Sequence, residues 1–173
     1  KAVDRALVVV DMPFGSYQGN SKKALSSAIK IMKESGGHSV KLEGGSEVIE
    51  SVKRILTAGI PVMGHLGLTP QSVHVFGGFK IQGREDDKAQ KMIDDAKALE
   101  AAGAQLLVLE CIPSALAKRI TDAVTIPTIG IGAGNVTDGQ ILVMHDLVGI
   151  SAGYIPKFSK NFLLETGNMP DAV

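Results

Sequence analysis

The chain has 173 residues, 45% of them hydrophobic and 21% charged, with 18 basic residues against 18 acidic ones. That length buries one core comfortably and two poorly, and the balanced charge argues against a surface built for nucleic acid or an anionic membrane. No apolar run approaches the roughly 18 residues of a membrane span, no signal-peptide pattern opens the chain, and the single cysteine, Cys111, forms no internal disulfide, so the expected location is the cytoplasm.

In chain order, residues 7–10 read as a strand, because four consecutive apolar residues suit a strand buried on both faces. Leu25, Ala28, Ile29 and Met32 then recur at the spacing of one helix face, closed by Gly36 and Gly37. Residues 39–42 form the next strand. Ser46 is placed to N-cap a helix whose apolar face carries Ile49, Val52, Ile55 and Leu56 before Gly59 ends it. Residues 61–63 read as a third strand, and residues 64–83 as a long glycine-containing loop without helical period, a length that inside a compact domain points to function. Met92, Ile93, Ala96 and Leu99 mark a helix ending at Gly103, followed by a fourth strand over 105–109. Pro113 stands where a helix opens, with Leu116 and Ile120 on its buried face. A fifth strand spans 128–131 and leads into a glycine loop at 132–134. Residues 141–148 fit strand or helix equally, and Phe158, Phe162 and Leu163 stand at helical spacing in the tail.

Strands alternating with helices imply a parallel sheet with right-handed crossovers, either an open doubly wound sheet or part of a barrel. A complete (β/α)8 TIM barrel takes about 250 residues. Read as a barrel, residues 1–173 form a single domain short of roughly the first two βα units.

The ionisable residues have a placement of their own. Asp11 follows Val8, Val9 and Val10; Glu43 follows Val40, Lys41 and Leu42; His65 follows Val62, Met63 and Gly64; Glu110 follows residues 106–109. Each ends an apolar run at its carboxyl end, the edge where parallel α/β folds hold their active sites. Asp11 and Glu43 would be carboxylates at adjacent strand ends, which repel unless a cation or proton lies between them. Magnesium suits such a pair, filling its octahedron with waters and substrate oxygens, and spacing leaves helix capping or pairing with lysine equally open. Lys41 points to the same side as Glu43, either to bind an anion or to form a structural ion pair. Glu110, among apolar neighbours, has its charged form disfavoured and suits a general base, or else bonds to loop amides. His65 is placed to orient a substrate oxygen or to be satisfied within its own loop. Gly130, Gly132 and Gly134 with Asn135 can form an anion-binding nest, although their order fits neither dinucleotide nor Walker patterns. Cys111 lacks the electropositive surroundings of a nucleophile.

Several longer phrases stand in a fixed order: VDMPF at 10–14, VKLEGG at 40–45, GHLGLTPQ at 64–71, KIQGR at 80–84, LLVLECIP at 106–113 and IGIGAGNVTDGQILVM at 129–144, with IPKF at 155–158 beyond. In content and order they resemble the ketopantoate hydroxymethyltransferase family. The resemblance implies a (β/α)8 barrel assembled as a homo-oligomer, often a decamer of paired rings. It implies magnesium held by Asp11 and Glu43, contact of Asp11 and Lys41 with a 2-oxo acid, Glu110 as proton acceptor, and His65 near the substrate. It implies 5,10-methylenetetrahydrofolate as co-substrate, carrying a one-carbon unit to 3-methyl-2-oxobutanoate; the balanced charge and lack of an apolar span leave neither nucleic acid nor membrane as partner. Family members carry an Asp-Ser pair on an earlier strand, and no such pair precedes Asp11; that pair and the first two strands are expected upstream. Two other readings stay open at this point. One is a magnesium-dependent lyase or aldolase of the phosphoenolpyruvate-pyruvate barrel type, and the other a non-catalytic phosphate-binding module on the glycine loop.

Overall fold

The computed structural model describes residues 3–153 and 155–172. The strands are β1 (Val9–Asp11), β2 (Ser39–Glu43), β3 (Val62–Gly67), β4 (Leu106–Glu110), β5 (Thr128–Ile131) and β6 (Gly139–Gln140). The longer helices are α1 (Ser21–Ser35), α2 (Ile49–Thr57), α4 (Asp86–Ala102) and α5 (Ser114–Ala123); α3 (Val73–Phe76), α6 (Met144–Leu147), α7 (Leu163–Thr166) and α8 (Met169–Ala172) are single turns. Each strand pairs in parallel with the next, so sheet order is chain order. A doubly wound sheet reverses its strand order and carries helices on both faces. Sequential order with the long helices on one face is instead the wall of a barrel, here an open arc.

Alternation along the strands divides the apolar residues. Val40, Leu42, Val62, Leu66, Leu107 and Leu109 face the helices, packing with Ala24 and Ala28 of α1, Val52 and Ile55 of α2, Ile93, Ala96 and Leu99 of α4, and Leu116 and Ile120 of α5. Side chains such as Leu42, Ile55, Leu99, Leu107 and Ile120 are at most 1% exposed, and each such burial stabilises the fold by about 1.5–3 kcal/mol. The opposite face holds a smaller cluster, Met63, Val108 and Ile131 backed by Val9, Leu106 and Ile129. Towards the carboxyl ends of the strands this inner face turns polar.

Local signals set the helix ends. Asn20 accepts from the Lys23 N–H as the N-cap of α1, and Gly36 and Gly103 end α1 and α4 in the left-handed conformation. Four sequence expectations are corrected. β3 continues four residues past 63, to Gly67, because β2 and β4 hold it on both sides through Glu43↔His65 and Gly67↔Glu110. Gly64 is there for packing, since a Cβ would lie 3.0 Å from Leu99 Cδ1 and 3.2 Å from Leu107 Cδ1. His65 is therefore a strand residue, 2% exposed, and the segment after it begins with a 3-10 turn at Pro70–Ser72 and α3. Ser46 does not cap α2; it opens a 3-10 turn, Ser46–Val48, and its backbone N–H donates to Asp95 Oδ1 at 3.1 Å. The buried face of α1 is Ser21, Ala24 and Ala28, with Ile29 41% exposed, so the stripe lies one position round from the larger apolar residues. In the tail no helix joins Phe158 to Phe162: Phe158 packs on Gly132, where a Cβ would meet its ring at 2.6 Å, and α7 starts only at Leu163. The ambiguous stretch resolves into α6, preceded by the short β6. Among the described residues no helix is long and apolar enough to cross a membrane.

Candidate active site

Register gathers the five residues named from the sequence onto the inner face at the carboxyl ends of four adjacent strands, through Asp11↔Lys41, Glu43↔His65 and Gly67↔Glu110. Lys41 and Glu43, two apart on β2, share that face, and so do Asp11, His65 and Glu110 on the neighbouring strands. Their side chains touch in sequence. Lys41 Nζ lies 2.7 Å from Asp11 Oδ1 and 2.9 Å from His65 Nδ1. His65 Nδ1 is 4.0 Å from Glu43 Oε1, and His65 Nε2 is 3.2 Å from Glu110 Oε2. That last approach is close but misaligned, which leaves Nε2 a buried nitrogen without a hydrogen-bond acceptor. Exposure grades across the cluster, from 65% for the Asp11 side chain through 17% for Glu110 and 9% for Glu43 to 2% for His65.

Burial pushes the Glu43 carboxyl above its ordinary range; the Gln71 N–H, His65 and Lys41 oppose the shift and Asp11 adds to it. Glu43 Oε2 accepts from the Gln71 N–H at 2.9 Å, while Oε1 accepts no hydrogen bond from the described residues. A desolvated carboxylate with one free oxygen and a second carboxylate on the adjacent strand suit a small hard cation that keeps waters and substrate oxygens as its other ligands. Asp11 and Glu43 are the residues that could hold it. Among the described residues no three His, Cys, Asp or Glu side chains form an all-protein metal cage.

Two residues at the site were not anticipated. Tyr17 Oη accepts from the Glu43 N–H at 3.1 Å, and Gln71 reaches Glu43 as described. Tyr17 is 2% exposed, whereas Phe14, three residues earlier in the same polar loop, is 75% exposed, and nothing local in the sequence separates the two. Burial, above all, pushes the Tyr17 phenol up to about 12, so it acts as a neutral hydroxyl. Cys111 is pushed up to about 11 by burial and then by Glu110, in line with its dismissal as a nucleophile. The glycines of 130–134 serve packing: a Cβ at Gly130 would meet Thr137 Oγ1 at 2.7 Å and one at Gly134 would meet Ser114 at 2.7 Å, which argues against an open anion cradle. A cavity of about 550 Å3 lies on the other side of the rim, lined by Gly44, Gly67, Lys80, Arg84 and the start of α4, and none of the five inner-face residues borders it.

A family model described as ketopantoate hydroxymethyltransferase matches residues 1–173. The chain is 71% identical over 166 residues to the 3-methyl-2-oxobutanoate hydroxymethyltransferase of Pseudoalteromonas translucida, covering 96% of this chain and 62% of that protein. It is 61% identical over 173 residues to the protein of the same name from Shewanella loihica, covering 100% of this chain and 65% of that one. The chain thus spans less than two thirds of the length of these curated relatives. Among solved structures it is similar to a putative phosphonomutase from Burkholderia cenocepacia, with TM-score 0.56 and 17% identity over 73% of this chain and 56% of that one. It is also similar to a dihydrodipicolinate synthase from Agrobacterium tumefaciens, with TM-score 0.50 and 15% identity over 83% and 50% of the two chains. At such identity these two bear on the fold alone. Matched from first residue to last, and with its phrases folded onto one rim of a parallel α/β arc, the chain belongs to the ketopantoate hydroxymethyltransferase family.

Proposed function

We propose that the protein containing this chain transfers a hydroxymethyl group from 5,10-methylenetetrahydrofolate to 3-methyl-2-oxobutanoate, giving ketopantoate for pantothenate synthesis, in the cytoplasm and as a homo-oligomer. The observation that carries this reading is the run Asp11–Lys41–His65–Glu110 along one inner rim, with Glu43 beside it. The relatives' names supply the reaction to which that rim is fitted.

The roles follow from position. Glu110 is the general base: its carboxylate takes the C3 proton of the 2-oxo acid, at the only carbon acidified by the neighbouring keto group. Lys41 turns an ammonium towards the keto oxygen, where negative charge develops as that proton leaves. Asp11 shares the substrate contact, and His65 steers Glu110. Asp11 and Glu43 would hold magnesium, which supplies Lewis-acid polarisation of the carbonyl when bound. Carbon C3 then bonds to the folate methylene carbon, both carbon–nitrogen bonds of that carbon break, water supplies the new hydroxyl, and the two folate nitrogens take up the C3 proton and the remaining water proton, so the atoms balance.

The test uses the full-length protein. With the 2-oxo acid in deuterated water, Glu110→Gln should keep substrate binding and lose C3 exchange by about 100- to 10,000-fold. Normal exchange in that variant would remove Glu110 as the base. Product formation that continues without methylenetetrahydrofolate would point instead to a lyase of the same barrel type.

A further inference from the structure

Three hydrogen bonds close a ring through Glu43, Gln71 and Tyr17, and a fourth ties it to Met12. The Gln71 N–H donates to Glu43 Oε2 at 2.9 Å, and the Gln71 side-chain amide donates to the Met12 carbonyl at 2.8 Å. Tyr17 Oη donates to Gln71 Oε1 at 2.9 Å and accepts from the Glu43 N–H at 3.1 Å. The ring ties together the chain leaving β1, the last residue of β2 and the segment that follows β3. Tyr17 is buried and Gln71 half-buried, so solvent does not readily replace a bond lost here. A carboxylate gripped at its own main-chain N–H and at Oε2 has little rotamer freedom. Its remaining oxygen, Oε1, is left on the inner face, 4.0 Å from His65 Nδ1.

We propose that Tyr17 and Gln71 are positioning residues that hold Glu43 with Oε1 presented to a divalent cation, so that cation affinity depends on the segment after β3 being docked on the rim. This rests on the reading of Glu43 as a metal-holding residue. Outer groups that orient a ligating carboxylate govern affinity strongly, and their loss costs about 10- to 100-fold. A ring that served stability alone would change the melting temperature and leave cation affinity where it was.

The experiment titrates the full-length protein with Mn2+, an oxygen-preferring stand-in for magnesium, following free Mn2+ by electron paramagnetic resonance without substrate. Tyr17→Phe removes the hydroxyl, and Gln71→Asn keeps the backbone donor but is too short to reach both Met12 and Tyr17. Each should weaken Mn2+ binding about tenfold or more, while C3 exchange at saturating metal returns to near the wild-type rate. Should Tyr17→Phe fail to fold, Gln71→Asn carries the test. Wild-type affinity in the folded variants, alongside lost binding in Glu43→Gln, would overturn the proposal and leave the metal reading standing. Wild-type protein whose Mn2+ binding does not need Glu43 would overturn both.

Discussion

Lys41 places its ammonium 2.9 Å from Nδ1 of His65. An ammonium has only donors, so Nδ1 accepts and the ring proton sits on Nε2, the nitrogen 3.2 Å from Glu110 Oε2. One lysine on β2 thereby sets the tautomer presented to a carboxylate on β4, two strands away.

Lys41→Met should release that choice. Nitrogen-15 spectra of the His65 ring, a single Nε2–H form in the wild type, should become a mixture of both tautomers. Activity of the full-length variant should fall about 100- to 1,000-fold, because a charge facing the developing oxyanion is lost with it. A pure Nε2–H signal in the variant would mean that another group orients the ring.

Glu43 carries a stability cost. Its carboxyl is raised by burial, so the folded chain binds that proton more tightly than the unfolded chain. The sign follows: the metal-free protein gains stability as pH falls through the raised value, and ionised Glu43 destabilises it at neutral pH. Glu43→Gln keeps an acceptor for the Gln71 N–H and removes the charge. Metal-free full-length protein with this change should melt higher than the wild type at pH 7, while losing divalent-cation binding. A lower melting temperature would show that Lys41 and His65 already offset the charge.

Gly45 is a packing requirement in the VKLEGG phrase. A Cβ there would lie 2.2 Å from Asp95 Cγ, and Asp95 is itself held by the Ser46 N–H and by Lys91. Gly45→Ala should cost about 1–3 kcal/mol through overpacking. Adding Asp95→Ala should recover part of that loss, a coupling read from a double-mutant cycle of denaturant midpoints. Strictly additive effects would show that the clash is relieved some other way.

Cys111 should be slow to alkylate. With its thiol at about 11, roughly one molecule in a thousand is thiolate at pH 8, so iodoacetamide should react about 100-fold more slowly than with an exposed cysteine. Because Glu110 contributes to the shift, Glu110→Gln should quicken the labelling. Labelling at the rate of free cysteine would contradict this burial.

Much of the architecture was legible locally. The strand face packed on the helices must be apolar, so Asp11, Glu43 and Glu110 marked the strand ends by closing largely apolar runs. Gly36, Gly59 and Gly103 marked helix ends because left-handed backbone favours residues without a Cβ. His65 was misplaced in a loop for a related reason. Glycine in isolation signals a turn, and only the pairing of β3 with β2 and β4 makes Gly64 a point of close contact inside a strand.

What the sequence determined by itself was the alternation of strand and helix, the identity of the polar residues at the strand ends and the family phrases that carry them. The contacts between those residues came from the fold. The distance between Tyr17 and Gln71, 54 residues apart in the chain, and the order in which Asp11, Lys41, His65 and Glu110 meet depend on inter-strand register. Register is a property of paired strands, set by packing against α1, α2, α4 and α5, and no single segment encodes it.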